Sequence, residues 1–261
     1  MRQLILQKNQ DKKGLVELDG KDYHYLSQVL RVKAGDMVKV RLADGSLNNS
    51  TVCKIDDRAK KITLQICAPT DLPAGSEETK QASKQIQFSL FQFIPKPQKL
   101  ELIVRQATEC GVKNIIPVIS EYAQKGNIEA LSGGKKERLE RIVREARQQS
   151  GSPVDTKVFD PVNVEEAVEL WNKMKADAGE EFSAGFVLSE RQVPELVEEQ
   201  KKNYRNICIF CGNEGGISPE ELELLTKKAL LYPLHFSVNI LRCETAALYG
   251  IAAVQTRILG F

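Results

Sequence analysis

Hydrophobic and polar positions change rhythm once along the chain. The first seventy residues hold short runs that read as strands, Leu4 to Leu6, Leu15 to Leu18, Met37 to Leu42, Leu47 to Ile55 and Ile62 to Ile66, parted by turn residues. Asp44-Gly45 between the third and fourth runs is a hairpin signal, because such turns need residues that accept positive φ. Between the second and third runs, Tyr23, Leu26, Val29 and Leu30 fall at helical spacing, and Ala34-Gly35-Asp36 is expected to end that helix. A small β-barrel with one helix is the simplest packing. Residues 71–85 are polar and aperiodic, with Pro, Gly and Ser, and read as a linker.

Beyond the linker, strands alternate with helices, the mark of a parallel sheet covered on both faces. Strands are expected at Ile86 to Phe93, Ile115 to Ile119, Gly185 to Leu188, Ile207 to Cys211 and Leu230 to Leu234. Leu100, Ile103, Val104 and Ala107 stripe one helix, which should stop at Gly111, and Leu139, Ile142, Val143 and Ala146 stripe another. Val164 to Lys175 makes a third, and Ser218-Pro219-Glu220-Glu221 opens a fourth with a capping box and a proline in its first turn. An apolar helix from about Glu244 to Ile258 ends the pattern. The expectation is α/β, with residues 1–70 and 86–261 as domains on either side of the linker.

Composition narrows this picture without changing it. A chain of 261 residues is long for a single core, and 42% hydrophobic with 28% charged residues is globular. No run approaches the roughly 20 apolar residues of a spanning helix, and the first residues lack the apolar centre of a secretory signal, so a soluble cytoplasmic protein is expected. The six cysteines lack the spacing of a disulfide framework. Cys208 and Cys211 form a CxxC inside a strand-like run, where alternation sends positions three apart to opposite faces, so no metal site is expected. Charge is uneven. Residues 1–70 carry 13 Lys/Arg against 8 Asp/Glu, or +5, and the remainder 24 against 27, or −3. A basic amino-terminal part suits contact with phosphates, and equally an ordinary solvated surface.

Ligands of open parallel sheets bind beyond the carboxyl ends of the strands, so three loops matter most. These are Leu188-Ser189-Glu190, Gly212-Asn213-Glu214-Gly215-Gly216 and His235 to Arg242. The glycines of the second permit close backbone approach to a ligand, but the loop is neither GxGxxG nor a phosphate loop. By itself it is equally a tight strand-to-helix turn. Arg242, Glu244 and Thr245 stand at the start of an otherwise apolar helix, where a helix-terminal role would suffice for the two latter residues.

Gly212 to Gly216 resembles the GPEGG motif, and Ile240-Leu-Arg-Cys-Glu-Thr-Ala246 the ILRxETA motif, of the RsmE family, which methylates N3 of a uridine in small-subunit ribosomal RNA. His24 through Val29-Leu30-Arg31 is similar to that family's HxxxVLR segment, Lys99 through Glu109-Cys-Gly-Val112 to its KxxxxxxxxxxELGV helix, and Glu140 to Ser150 to its EAxEQS helix. Three stretches depart from the pattern: Asn213 replaces a proline, Ser237-Val238-Asn239 replaces a glycine-containing stretch, and Glu121 to Gln124 replaces SERS.

The resemblance implies a PUA-like β-barrel joined to a SPOUT-type α/β domain, a parallel sheet with a carboxyl-terminal trefoil knot. It implies S-adenosylmethionine as cofactor, a homodimer, and ribosomal RNA or the assembled small ribosomal subunit as partner. The cofactor residues it implies are Leu188, Ser189, Gly212, Asn213, Glu214, Gly215, Gly216, Ser237, Val238, Asn239, Ile240, Leu241 and Thr245. Arg242 is the candidate for stabilising the anion left by loss of the uridine N3 proton, and Glu244 for orienting that arginine or accepting the proton. His24 and Arg31 in the basic segment, and Arg144 on the helix, are the RNA candidates. Arg141, Arg144 and Arg147 equally fit a solvated face paired with Glu137, Glu140 and Glu145. Two alternatives remain open at this point: methylation of a ribose 2′-hydroxyl, and RNA binding during ribosome assembly without catalysis.

Overall fold

A computed structural model of the chain describes residues 3–67, 86–129, 131, 135–190 and 204–259. The linker expected at 71–85 lies outside the described residues. Two compact units are present. Among the described residues, one holds those up to residue 67 with Arg147–Pro153, and the other those from residue 86 to Ala146 with Val154 onward.

In the first unit, strands β1 (Leu4–Ile5), β2 (Leu15–Leu18), β3 (Met37–Arg41), β4 (Leu47–Asp56) and β5 (Lys61–Ile66) form one sheet in the order β1-β3-β4-β5-β2. Only β1 and β3 pair in parallel. Alternation sets the inner face: Val16 and Leu18 of β2 and Ile62, Leu64 and Ile66 of β5 are buried in one core with Leu4, Tyr23 and Leu26. The β3–β4 hairpin turns at Asp44-Gly45, with Gly45 at φ 85°.

The helix of this unit departs from expectation. Helix α1 (Gly20–His24) passes directly into a π-helical turn, Tyr25–Val29, in which the Leu30 amide bonds the Tyr25 carbonyl. It stops there rather than at Ala34-Gly35-Asp36. Arg31 takes the left-handed conformation, φ 53°, and reverses the chain before glycine is reached. The wider π turn also carries Val29 out of the buried stripe, to 57% exposure.

The second unit is a parallel α/β layer. Its strands are β6 (Gln87–Phe93), β7 (Asn114–Ile119), β8 (Lys157–Val158), β9 (Val162–Asn163), β10 (Ser183–Leu188), β11 (Asn206–Cys211) and β12 (Tyr232–Leu234). They lie in the order β12-β10-β11-β6-β7-β8, with β9 also on β7, and every pairing is parallel. Helices α2 (Pro97–Glu109), α4 (Lys135–Ser150) and α7 (Cys243–Leu259) cover one face. Helices α5 (Val164–Ala178) and α6 (Pro219–Lys227) cover the other, where Trp171 is fully buried and Phe91 stacks on Phe210 at 4.2 Å. Cys208 packs into one layer and Cys211 into the other, so the CxxC thiols face apart.

The helix starts follow local chemistry. Asn163 with Glu166, and Ser218 with Glu221, form reciprocal capping boxes at α5 and α6. Among the described residues four short elements were not expected from periodicity: α3 (Lys125–Glu129), β8, β9 and the 3-10 turn Glu180–Phe182. Each is too short to show a period. Among the described residues no helix is long and apolar enough to cross a membrane. No group of His, Cys, Asp and Glu among them is arranged to hold a metal ion.

Candidate methyl-donor cleft

Parallel pairing brings the loops that leave β10, β11 and β12 to one edge of the sheet. There they border a cleft of about 1050 Å³, part of it open to solvent. Ten residues expected at a cofactor line it: Leu188, Ser189, Gly212, Asn213, Gly215, Gly216, Val238, Asn239, Ile240 and Leu241. Glu214, Ser237 and Thr245 do not. Leu188, Ile217, Leu222 and Phe236 make much of the wall apolar, and Glu190 adds a carboxylate.

Small residues in the second loop are a steric requirement. A Cβ on Gly212 would stand 2.8 Å from the Gly216 backbone, and one on Gly215 would stand 2.9 Å from the Tyr122 side chain. Gly216 has φ 79°, which L side chains rarely adopt. Asn213, where the family motif has proline, is 6% exposed and tied down by its own amide. Its Nδ2 donates to Ser120 Oγ at 3.0 Å and to the Ile94 carbonyl at 3.4 Å, and its Oδ1 accepts from Gly215 N at 2.9 Å. The Gly216 amide then bonds the Asn213 carbonyl at 3.0 Å. Hydrogen bonds thus supply the restriction that a proline ring imposes elsewhere. Tyr122, in the stretch that replaces SERS, packs on this loop and lines the cleft.

The two acidic residues of the motifs are turned to one lysine. Lys99 Nζ, in the first turn of α2, lies 3.2 Å from Glu244 Oε2 and 3.4 Å from Glu214 Oε1. Glu214 also accepts from the Lys96 amide at 3.2 Å, serving the start of α2 where Lys96 offers no side-chain cap. Burial works against charge on Glu244. Hydrogen bonds from its own amide, from Cys243 and from Lys99 outweigh that and hold its carboxyl below the usual value of 4.5. Burial also opposes the Lys99 charge, but Glu244, Cys243 and Glu214 together raise its pKa above 10.5. The Cys243 thiol, buried beside these carboxylates, is pushed up to about 12.

Arg242 is not part of this cluster. It is exposed, and its immediate neighbours Leu241 and Cys243 line the cleft. Among the described residues the ion pair of Glu244 is with Lys99, not with Arg242.

The residues proposed for RNA lie elsewhere. His24 and Arg31 are exposed on the first unit. Arg144 on α4 is half-buried and already engaged in an interaction, and Arg141 pairs with Glu145 at 4.0 Å on the exposed face of that helix.

Sequence reasoning assigned no role to Lys99, Tyr122 or His235, whose Nδ1 lies 3.2 Å from the Ser189 carbonyl. For Lys99 a signal was present, since it opens the helix segment similar to the family's, but its partners are more than a hundred residues away.

Residues 82–255 match the model of the RNA methyltransferase domain. Ribosomal RNA small subunit methyltransferase E of Rickettsia conorii is 29% identical over 238 residues, 91% of this chain and 86% of the relative. The protein of the same name from Aquifex aeolicus is 32% identical over 65% of this chain and 67% of its own length. The crystal structure of ribosomal RNA small subunit methyltransferase E from Neisseria gonorrhoeae, bound to S-adenosyl methionine, shares the fold with a TM-score of 0.77 at 23% identity, over 98% of both chains. On this likeness the chain belongs to the RNA methyltransferase family, and within it to the ribosomal RNA small subunit methyltransferase E group, RsmE.

Proposed function

We propose that this RNA methyltransferase moves the methyl group of S-adenosylmethionine to N3 of a uridine in small-subunit ribosomal RNA, as a cytoplasmic homodimer. In this proposal its first domain is a PUA-like barrel and its second a knotted SPOUT domain. The observation that carries the reading is the meeting of the Gly212–Gly216 loop and the Ile240–Ala246 segment at the walls of one cleft.

The cleft fits the donor on three counts. Its apolar wall suits an adenine ring, its glycine loop brings backbone close to a ligand, and the Glu190 carboxylate complements a positively charged guest. When bound, the donor supplies an electrophilic methyl on a sulfonium. The remaining work falls to positioning and charge. In this proposal Arg242 stabilises negative charge spread over O2, N3 and O4 of the deprotonated uridine; its exposure between two cleft-lining residues supports that role. Glu244, held ionised and engaged by Lys99, is a weak proton acceptor, which favours a supporting role for it.

Val238 and Ile240 support the homodimer: they line the cleft yet are 49% and 81% exposed, and a second chain would cover what they leave open to solvent. In the same proposal His24 and Arg31 on the basic first unit, with Arg144, hold the RNA backbone. The test is incubation with methyl-labelled donor and unmodified small subunits, followed by nucleoside analysis. The label is expected in 3-methyluridine for the wild-type protein and absent for Arg242→Ala, which stays folded. Label in a 2′-O-methyl nucleoside, or full activity of the variant, would contradict the proposal.

A further inference from the structure

The two motif segments that meet at the cleft come from separate loops, and neither hydrogen-bonds the other through a side chain among the described residues. Both are instead held from a third element. Lys99 on α2 reaches Glu214 of the first at 3.4 Å and Glu244 of the second at 3.2 Å, with its side chain only 26% exposed. Its Nζ also lies 3.9 Å from Cys243 Sγ, and Cys243 itself lines the cleft. Two carboxylates that share one ammonium can approach closely only while it is present; without it, like charges in a partly desolvated place repel.

We propose that Lys99 is a positioning residue of the donor site, a clamp that sets the distance between the Gly212–Gly216 loop and the start of α7. This rests on the reading of the cleft as the donor site. Lys99 does not line the cleft, so its effect passes through the loops and not through contact with a ligand. A clamp of this kind acts on donor affinity first. A lysine that merely stabilised α2 would alter melting temperature and leave the affinity of the folded protein unchanged.

Calorimetric titration with S-adenosylmethionine separates these cases, on the wild-type chain and the variants Lys99→Met, Lys99→Arg and Lys99→Met/Glu244→Gln. Lys99→Met is expected to weaken donor binding about tenfold, and Lys99→Arg to stay within about threefold of wild type, since arginine keeps the charge. The double variant is expected to bind more tightly than Lys99→Met, because it removes one of the carboxylates left unpaired. In turnover, the loss should appear mainly in the KM for the donor, with kcat changed less. Equal donor affinity of Lys99→Met and wild type would overturn the clamp. So would a double variant that binds the donor no more tightly than Lys99→Met; if Lys99→Met alone fails to fold, a double variant that folds and binds the donor more than about tenfold more weakly than wild type would overturn the clamp. If the wild-type chain itself binds no donor, the reading of the cleft fails, and the clamp with it.

Discussion

At position 213 a side chain does what a ring does in the family motif. Proline narrows a turn by fixing φ, whereas Asn213 reaches the same restriction through bonds to Ser120, Ile94 and Gly215. The two solutions are not interchangeable in this context. Asn213→Pro would restore the motif yet leave the Gly215 amide without its Oδ1 acceptor and the buried Ser120 hydroxyl without its Nδ2 donor. Orphaned groups of that kind cost about 1–3 kcal/mol each. The variant is therefore predicted to be less stable than wild type in urea denaturation, by about 1–3 kcal/mol. Stability equal to wild type would mean that the Asn213 network is dispensable. The composition of this loop was legible in sequence, because glycines and a strand-to-helix junction have local signatures. The partners of Asn213 were not, since Ser120 lies 93 residues away and only the β6–β7–β11 arrangement brings it near.

Elements with a period were read from the sequence, and elements without one were missed. Alternation in β2 and β5 and the 3.6-residue stripes of α2, α4 and α5 are burial patterns, so the core they build was visible in advance. The π turn at Tyr25–Val29 was hidden, because its apolar residues still sit near helical spacing while its hydrogen bonds widen by one residue. The cluster joining α2, the glycine loop and α7 was hidden too, being a property of packing. It carries a pH signature of its own. Glu244 has a depressed pKa, so its contribution is fully present above the ordinary value of 4.5 and is lost as pH falls through the folded value. Lys99 has a raised pKa, so its contribution is fully present below 10.5 and is lost as pH rises through the folded value. The difference in melting temperature between wild type and Lys99→Met is predicted to be flat from about pH 5.5 to 9.5 and to shrink at lower pH. A difference that instead changed steadily through neutrality would show that other groups govern the cluster.

At the scale of the whole molecule, the described residues hold a five-stranded, mostly antiparallel sheet in one unit and a parallel α/β layer in the other, and the change of rhythm along the sequence pointed to a parallel sheet after residue 86. The path of the chain was not. Strand order β12-β10-β11-β6 inserts β11 between strands that precede it in sequence, and α7 then returns to pack on α2 and β11. Nothing in a local pattern encodes such a path. This topology brings three strand ends together, and with them the loops that form the cleft. Whether the cleft holds the methyl donor is read from titration of the purified chain with S-adenosylmethionine. One donor per chain, saturating well below about 1 mM, is predicted. No detectable binding at that concentration would contradict it.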